Sequence, residues 1–146
     1  MLRELLGDKF QIIEKVADWK DAIVQSAQPL LLNDSIEERY IDAMIQMCEE
    51  YNAYIVLMDY FAMPHAAPEF GTKKLDAALT IVKEPVDFMG KEVHVLLAIA
   101  FTDSQSHLAL LQEVAMLMGK TENLDALMKA KDINEIAEIV SIGLKD

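Results

Sequence analysis

The sequence predicts a single layered α/β domain, a mixed β-sheet with helices packed on both faces. Three observations carry that expectation. Segments with helical periodicity occupy the first and last thirds of the chain, and β-branched and aromatic runs fill the middle. Two of those runs, Leu75 to Val82 and Val93 to Phe101, are apolar on both faces, as strands are when helices cover both sides of a sheet. The chain has 146 residues, 53% of them hydrophobic, with only four prolines and five glycines, enough to close a real core. No internal repeat, low-complexity tract or linker divides it, so the expected domain runs over residues 1–146.

The elements follow in order. Phe10-Gln11-Ile12-Ile13 is a short strand. Asp18 can cap a helix that carries Trp19, Ala22, Ile23 and Ala27 on one face and ends or kinks at Pro29. Ser35-Ile36-Glu37-Glu38 has the spacing of a capping box, opening a helix with Tyr40, Met44, Met47 and Tyr51 on one stripe and Ile41, Ile45 and Cys48 beside it. Strands are expected at Tyr54 to Leu57, at Tyr60 to Met63 and in the two long apolar runs. Pro85 and the Asp87 to Lys91 segment should separate those two runs as a turn or loop. Asp103 or Ser104 can cap a helix with Leu108, Leu111, Val114, Ala115 and Met118 inward, ended by Gly119. A shorter helix covers Thr121 to Ala130. Asp132 opens the last, with Ile133, Ile136, Ala137 and Val140 inward.

Charge removes several classes of function. The formal net charge is -12 and no cluster of Lys and Arg relieves it, so nucleic acid and anionic membrane surfaces would be repelled. Cys48 is the single cysteine, which leaves no intramolecular disulfide and no cysteine-rich metal site, and its place on an apolar helix face reads as core. Met1 to Leu6 is too charged for a signal peptide, and no apolar run approaches the roughly 20 residues of a membrane span. The expected setting is cytoplasmic.

Chemistry centres on the histidines. Phe61-Ala62-Met63-Pro64-His65-Ala66-Ala67-Pro68 holds His65 on stiff backbone at a strand exit, because Pro64 fixes its own φ and pushes Met63 towards extended geometry. His107 falls in the first turn of its helix, where backbone N–H groups lack partners and the helix dipole favours an anion. If the two meet, they frame a site for a phosphoryl group. His94, inside an apolar strand, reads as structural. Metal hydrolysis lacks a ligand spacing, and nucleotide binding lacks a glycine-rich phosphate loop. Asp103, Ser104 and His107 are too close in sequence to be aimed as a triad, and Lys73 and Lys74 read as a solvated pair. An imidazole without metal, nucleotide or triad can still act as a nucleophile towards phosphorus.

At these residues the chain resembles the IIA component of the bacterial sugar phosphotransferase system (PTS), in the mannitol/fructose-type superfamily. The matching elements are Ala62-Met63-Pro64-His65, Gly71-Thr72-Lys73-Lys74, Val82 to Phe88, and Ser106-His107 opening the next helix. Met63 to Lys74 is most similar to the ascorbate-type branch. Two departures stand out. Mannitol-type members carry an arginine near the position of Glu49, whereas no Arg follows Arg39 here, and Ala66 stands where many relatives have glycine.

The resemblance implies an EIIA type-2 domain with the mannitol-type IIA fold. It implies that His65 accepts a phosphoryl group from the phosphocarrier HPr and passes it to a cysteine of a IIB component. His107 would stabilise the group, and a membrane IIC component would move the sugar or sugar acid, ascorbate or a relative of it. No cofactor and no metal is expected on this chain, and a homodimer is compatible with the resemblance. The alternative it leaves open is a regulatory phosphoreceiver of the nitrogen-type IIA kind.

Overall fold

In the computed structural model, which describes residues 1–103 and 106–145 and only the backbone of Ser106 and His107, the elements run in the following order. Helix α1 (Leu2–Leu6) leads into strand β1 (Phe10–Ile13), then helices α2 (Trp19–Leu32) and α3 (Glu38–Glu50). Strands β2 (Val56–Met58), β3 (Tyr60–Ala62), β4 (Asp76–Phe88) and β5 (Lys91–Ala100) come next, with a 3-10 turn at Pro68–Phe70 between β3 and β4. Helices α4 (Ser106–Met118), α5 (Thr121–Lys129) and α6 (Ile133–Gly143) close the chain. The five strands form one mixed sheet in the order β1-β4-β5-β3-β2, with β1 parallel to β4 and β3 parallel to β5, the other pairs antiparallel.

The two-sided apolar strands β4 and β5 lie inside the sheet because both of their faces need cover from water. Ala78, Val82, Leu96, Ala98 and Ala100 point to a core completed by α2 and α3. Ala77, Leu79, Ile81, Val95, Leu97 and Ile99 point to a second core built with α1, α4, α5 and α6. Helices thus cover both faces, as the sequence predicts.

Pro29 neither ends nor kinks α2 out of register. A proline removes the N–H that would bond the carbonyl four residues back. That carbonyl, on Gln25, instead accepts a bond from Gln11 Nε2 at 2.9 Å, so β1 repairs the gap and the helix runs on to Leu32. Asp18 caps α2 as expected, accepting from Asp21 N at 2.8 Å, and Asp132 caps α6 in the same way.

Further expectations are corrected. Ser35 forms no capping box with Glu38. Its hydroxyl is fully buried and donates to Asp76 Oδ2 at 2.6 Å, and α3 begins without a side-chain cap. A buried carboxylate offers that hydroxyl a stronger, charge-assisted bond than a helix N–H would. Within α3 the inward stripe is Tyr40, Ile41, Met44 and Cys48, while Tyr51 is exposed.

Pro85 does not break the strand. Between the pairs Ile81–Val95 and Val86–Val93, β4 carries more residues than β5, and this bulge absorbs Pro85. The turn that follows is only Met89-Gly90, both at positive φ (54° and 97°), as a two-residue hairpin requires.

The inward face of α4 is also different: Leu110, Val114, Leu117 and Met118 are buried, and Leu108, Leu111 and Ala115 are exposed. This helix is apolar on several sides, so periodicity alone does not choose its face. In α6 Ile136 and Val140 face inward, while Ile133 is exposed. The expected caps of α4 fall on Asp103 and Ser104, and Ser104 lies outside the described residues.

Candidate active site

Because β3 and β5 run parallel, their carboxyl ends leave the same edge of the sheet, the place where open α/β sheets bind ligands. The chain leaving β3 is the Met63-Pro64-His65 segment. Met63 N donates to Ile55 O at 2.8 Å and Ile99 N donates to Pro64 O at 3.0 Å, so the segment keeps strand-like pairing right up to the histidine. Pro64, lacking an N–H, fits there without leaving a donor unpaired. The backbone then turns through Pro68–Phe70 and ends that turn at Gly71, whose φ is 134°. A Cβ on Gly71 would lie 3.2 Å from Tyr40 Cβ, so glycine lets this loop press against the first turn of α3.

The half-buried His65 ring has its Nδ1 2.7 Å from the Met63 carbonyl oxygen. A carbonyl only accepts, so Nδ1 carries the hydrogen and the lone pair of the neutral ring is on Nε2. Two aromatic rings set the plane of the imidazole. Tyr54 lies at 5.5 Å between centroids and 67°, and Phe101, at the exit of β5, at 6.0 Å and 86°, both edge-on.

The backbone around the histidine is held by two phenols. Tyr54 OH donates to His65 O at 3.1 Å, and Ala66 N donates to Tyr40 OH at 3.0 Å. Burial pushes the Tyr54 phenol up to about 12 and also raises that of Tyr40, so both keep their proton throughout the neutral range. Ala66 is not in the positive-φ region, so the methyl in place of glycine costs nothing in backbone strain.

The remaining sequence-predicted residues fall as follows. His107 is the second residue of α4, whose start is joined to Phe101 by a short connection, but its side chain lies outside the described residues. His94 sits at the other end of the sheet, 8% exposed, with Nδ1 2.9 Å from Val82 O and Nε2 2.9 Å from Glu92 Oε2. It closes the open carbonyl of the β4 bulge, a structural role. Lys73 is exposed and paired with Asp34 at 2.6 Å. Cys48 is buried, and burial pushes its thiol up to about 11, which leaves it inert as a nucleophile. Among the described residues no group of three or more His, Cys, Asp or Glu is arranged to hold a metal ion. No helix of the described residues is long and apolar enough to cross a membrane.

Sequence reasoning placed Tyr40 in the core and Tyr54 in a strand, and missed what their hydroxyls hold. The available signal was that a buried tyrosine must find a partner for its O–H.

Known proteins share this architecture. The model of the family "phosphoenolpyruvate-dependent sugar phosphotransferase system, EIIA 2" matches residues 5–142. The chain is 32% identical over 134 residues to the mannitol-specific cryptic phosphotransferase enzyme IIA component of Escherichia coli K12, covering 90% of this chain and 91% of that one. It is 30% identical over 145 residues to the ascorbate-specific PTS system EIIA component of Shigella boydii, covering 95% and 94%. The solution structure of the mannitol-specific cryptic IIA enzyme of Escherichia coli superposes with a TM-score of 0.89 at 29% identity, over 97% of this chain and 99% of that one. At 16% identity, as a likeness of fold alone, the IIA mannitol enzyme of Escherichia coli in complex with phosphorylated IIB matches with a TM-score of 0.80 over 92% and 95%.

The fold is therefore that of the mannitol-type IIA proteins, phosphotransferase relay proteins that carry a phosphoryl group. The chain belongs to the EIIA type 2 family of the phosphoenolpyruvate-dependent sugar phosphotransferase system.

Proposed function

We propose that Nε2 of His65 is the atom that carries the phosphoryl group, and that residues 1–146 act as one EIIA type-2 domain in the uptake of ascorbate or a related sugar or sugar acid. The observation that carries the site assignment is the 2.7 Å contact between His65 Nδ1 and Met63 O, which commits one nitrogen as a donor and puts the lone pair on the other. The substrate class rests on similarity to the ascorbate-specific relative and on the motif from Met63 to Lys74.

In the first step the Nε2 lone pair attacks the phosphorus of phosphorylated HPr. The bond between phosphorus and its carrier atom on HPr breaks, and its electron pair returns to that atom. The His65 ring then bears a positive charge, and the Nδ1–H···O=C bond to Met63 stabilises it by a charge-assisted hydrogen bond. In the second step a cysteine thiolate of IIB attacks the same phosphorus, and the N–P pair returns to Nε2. A membrane IIC component then uses the phosphorylated IIB.

His107, in the first turn of α4, would offer a ring N–H, together with the N–H groups of that turn, to the phosphoryl oxygens as their charge shifts. No metal or nucleotide takes part on this chain, so chelation leaves the transfer rate unchanged once HPr is phosphorylated. The test is incubation with phosphoenolpyruvate, enzyme I and HPr. An acid-labile, alkali-stable phosphate that maps to His65 supports the reading, and phosphate on His107 or on any serine overturns it.

A further inference from the structure

The geometry points to Tyr40 and Tyr54 as a two-handed clamp on a single peptide group, the one joining His65 to Ala66, so that the two phenols are positioning residues for the transfer. This rests on the reading that His65 carries the phosphoryl group.

The clamp is read atom by atom. The carbonyl of that peptide unit is His65 O, which accepts from Tyr54 OH at 3.1 Å. Its N–H is Ala66 N, which donates to Tyr40 OH at 3.0 Å. One amide plane is therefore gripped on opposite edges by hydroxyls from two separate segments of the chain, α3 and the segment ahead of β2. Tyr40 OH has a single hydrogen to give. It points to Ile99 O at 2.9 Å, with Ala66 O also within reach at 3.1 Å. Ile99 in turn donates its N–H to Pro64 O, so the peptide bonds on both sides of His65 are tied to β5.

Neither grip is replaceable by water at the Tyr40 end. Tyr40 is fully buried and Ala66 is 3% exposed. Removing that hydroxyl leaves a dry N–H and a dry carbonyl without partners, a cost the fold meets by rotating the peptide. Rotation of the His65–Ala66 plane swings His65 O away from Tyr54 OH, and the Tyr54 ring, which lies edge-on to the imidazole at 5.5 Å, loses the anchor that holds the imidazole in reach of Met63 O. The Nδ1–H tautomer, and so the direction of the Nε2 lone pair, depends on that reach. A carrier histidine must present the same atom in the same direction to the donor's phosphoryl group and then to an acceptor thiolate, and a misplacement of about 1 Å can cost about 100-fold in rate.

The test uses Tyr40→Phe, Tyr54→Phe and, as a control, Tyr51→Phe, a ring that is exposed and touches Tyr54 without bonding the clamped peptide. Single-turnover transfer from phosphorylated HPr is measured over a range of HPr concentrations. The His65 tautomer is read by ¹⁵N NMR of the ring. The expected result is a maximal rate lowered by about ten- to a hundredfold in Tyr40→Phe, and by less in Tyr54→Phe, at an unchanged half-saturating concentration. The ring signals should show mixed tautomers in both variants and none in Tyr51→Phe. A ring that keeps the pure Nδ1–H form in the folded variants overturns the clamp, whatever the transfer rate. If Tyr40→Phe does not fold, Tyr54→Phe, at the wetter edge of the peptide, decides alone. Should the wild-type protein accept no phosphate on His65, the reading of function falls, while the tautomer measurement still decides the clamp.

Discussion

His65 and His94 are two histidines on one sheet, and their surroundings make opposite uses of the same ring. His94 lies in the interior at the hairpin end, with a backbone carbonyl on one nitrogen and a carboxylate on the other. Its ring is consumed in closing a bulge. His65 stands half-buried at the opposite end, with Nδ1 bound to a carbonyl two residues back and its ring faced by aromatic edges. On the proposed reading that arrangement orients a nucleophile. The backbone holds Nδ1 in both rings; what separates the structural histidine from the proposed carrier is the depth of burial and the end of the strands at which each stands.

The comparison breaks most plainly under substitution. His65→Ala should accept no phosphate from phosphorylated HPr, while His94→Ala should accept it at the wild-type rate. Loss of transfer in a folded His94→Ala would erase the distinction. His107→Ala should still accept phosphate, but about 10²–10³-fold more slowly, with its melting curve unchanged, because on the proposed reading it removes one hydrogen-bond donor to the phosphoryl group. Wild-type transfer in that variant would make His107 structural.

A further contrast lies in the buried carboxylate of Asp76, at the same end of the sheet as His65. Burial alone would raise its pKa. Bonds from Ser35, Asn33 and Ala77 N, with Lys9 at 3.1 Å, outweigh burial and hold the carboxyl below its usual value. A depressed carboxyl contributes stability that is fully present above the unfolded value of about 3.9 and is lost as pH falls through the folded value. Asp76→Ala should therefore cost about 3 kcal/mol of stability at neutral pH by leaving its partners unpaired. Asp76→Asn should flatten the acid limb of the melting temperature against pH, and an acid limb that keeps its wild-type slope would assign that limb elsewhere.

The smallest effect concerns encounter. With a net charge of -12, a basic partner surface is steered in, and screening over about 10 Å at 0.1 M salt should slow association severalfold without altering the chemical step. An association rate flat across salt would remove steering from the account. The contact rim should include Phe70 and Leu108, both exposed, and not Phe61, which is fully buried in the core.

Much of this was legible in the sequence, and the misses have physical causes. The two-sided strands, the caps at Asp18 and Asp132 and the stiff Pro64–His65 exit follow from local pattern. Ser35 misled because a local capping motif lost to a long-range partner, Asp76, that no local window contains. Pro29 and Pro85 misled because Gln11 and a bulge repair what proline breaks, and both repairs come from other strands. The face of α4 was ambiguous because apolar residues surround it. At the site, the stiff exit that carries His65 was visible from its neighbours, but the tyrosines that hold its peptide were not. A hydroxyl inside an apolar stripe does not disclose which backbone group it will meet.

The most direct measurement is two-dimensional ¹H–¹⁵N NMR of the imidazole in the phosphorylated protein, with the histidines assigned by substitution. The account predicts a single phosphohistidine, on Nε2 of His65, with Nδ1 still protonated against Met63 O and the His94 ring unmoved. A phosphoryl group on Nδ1 of His65, or on any other residue, would contradict it.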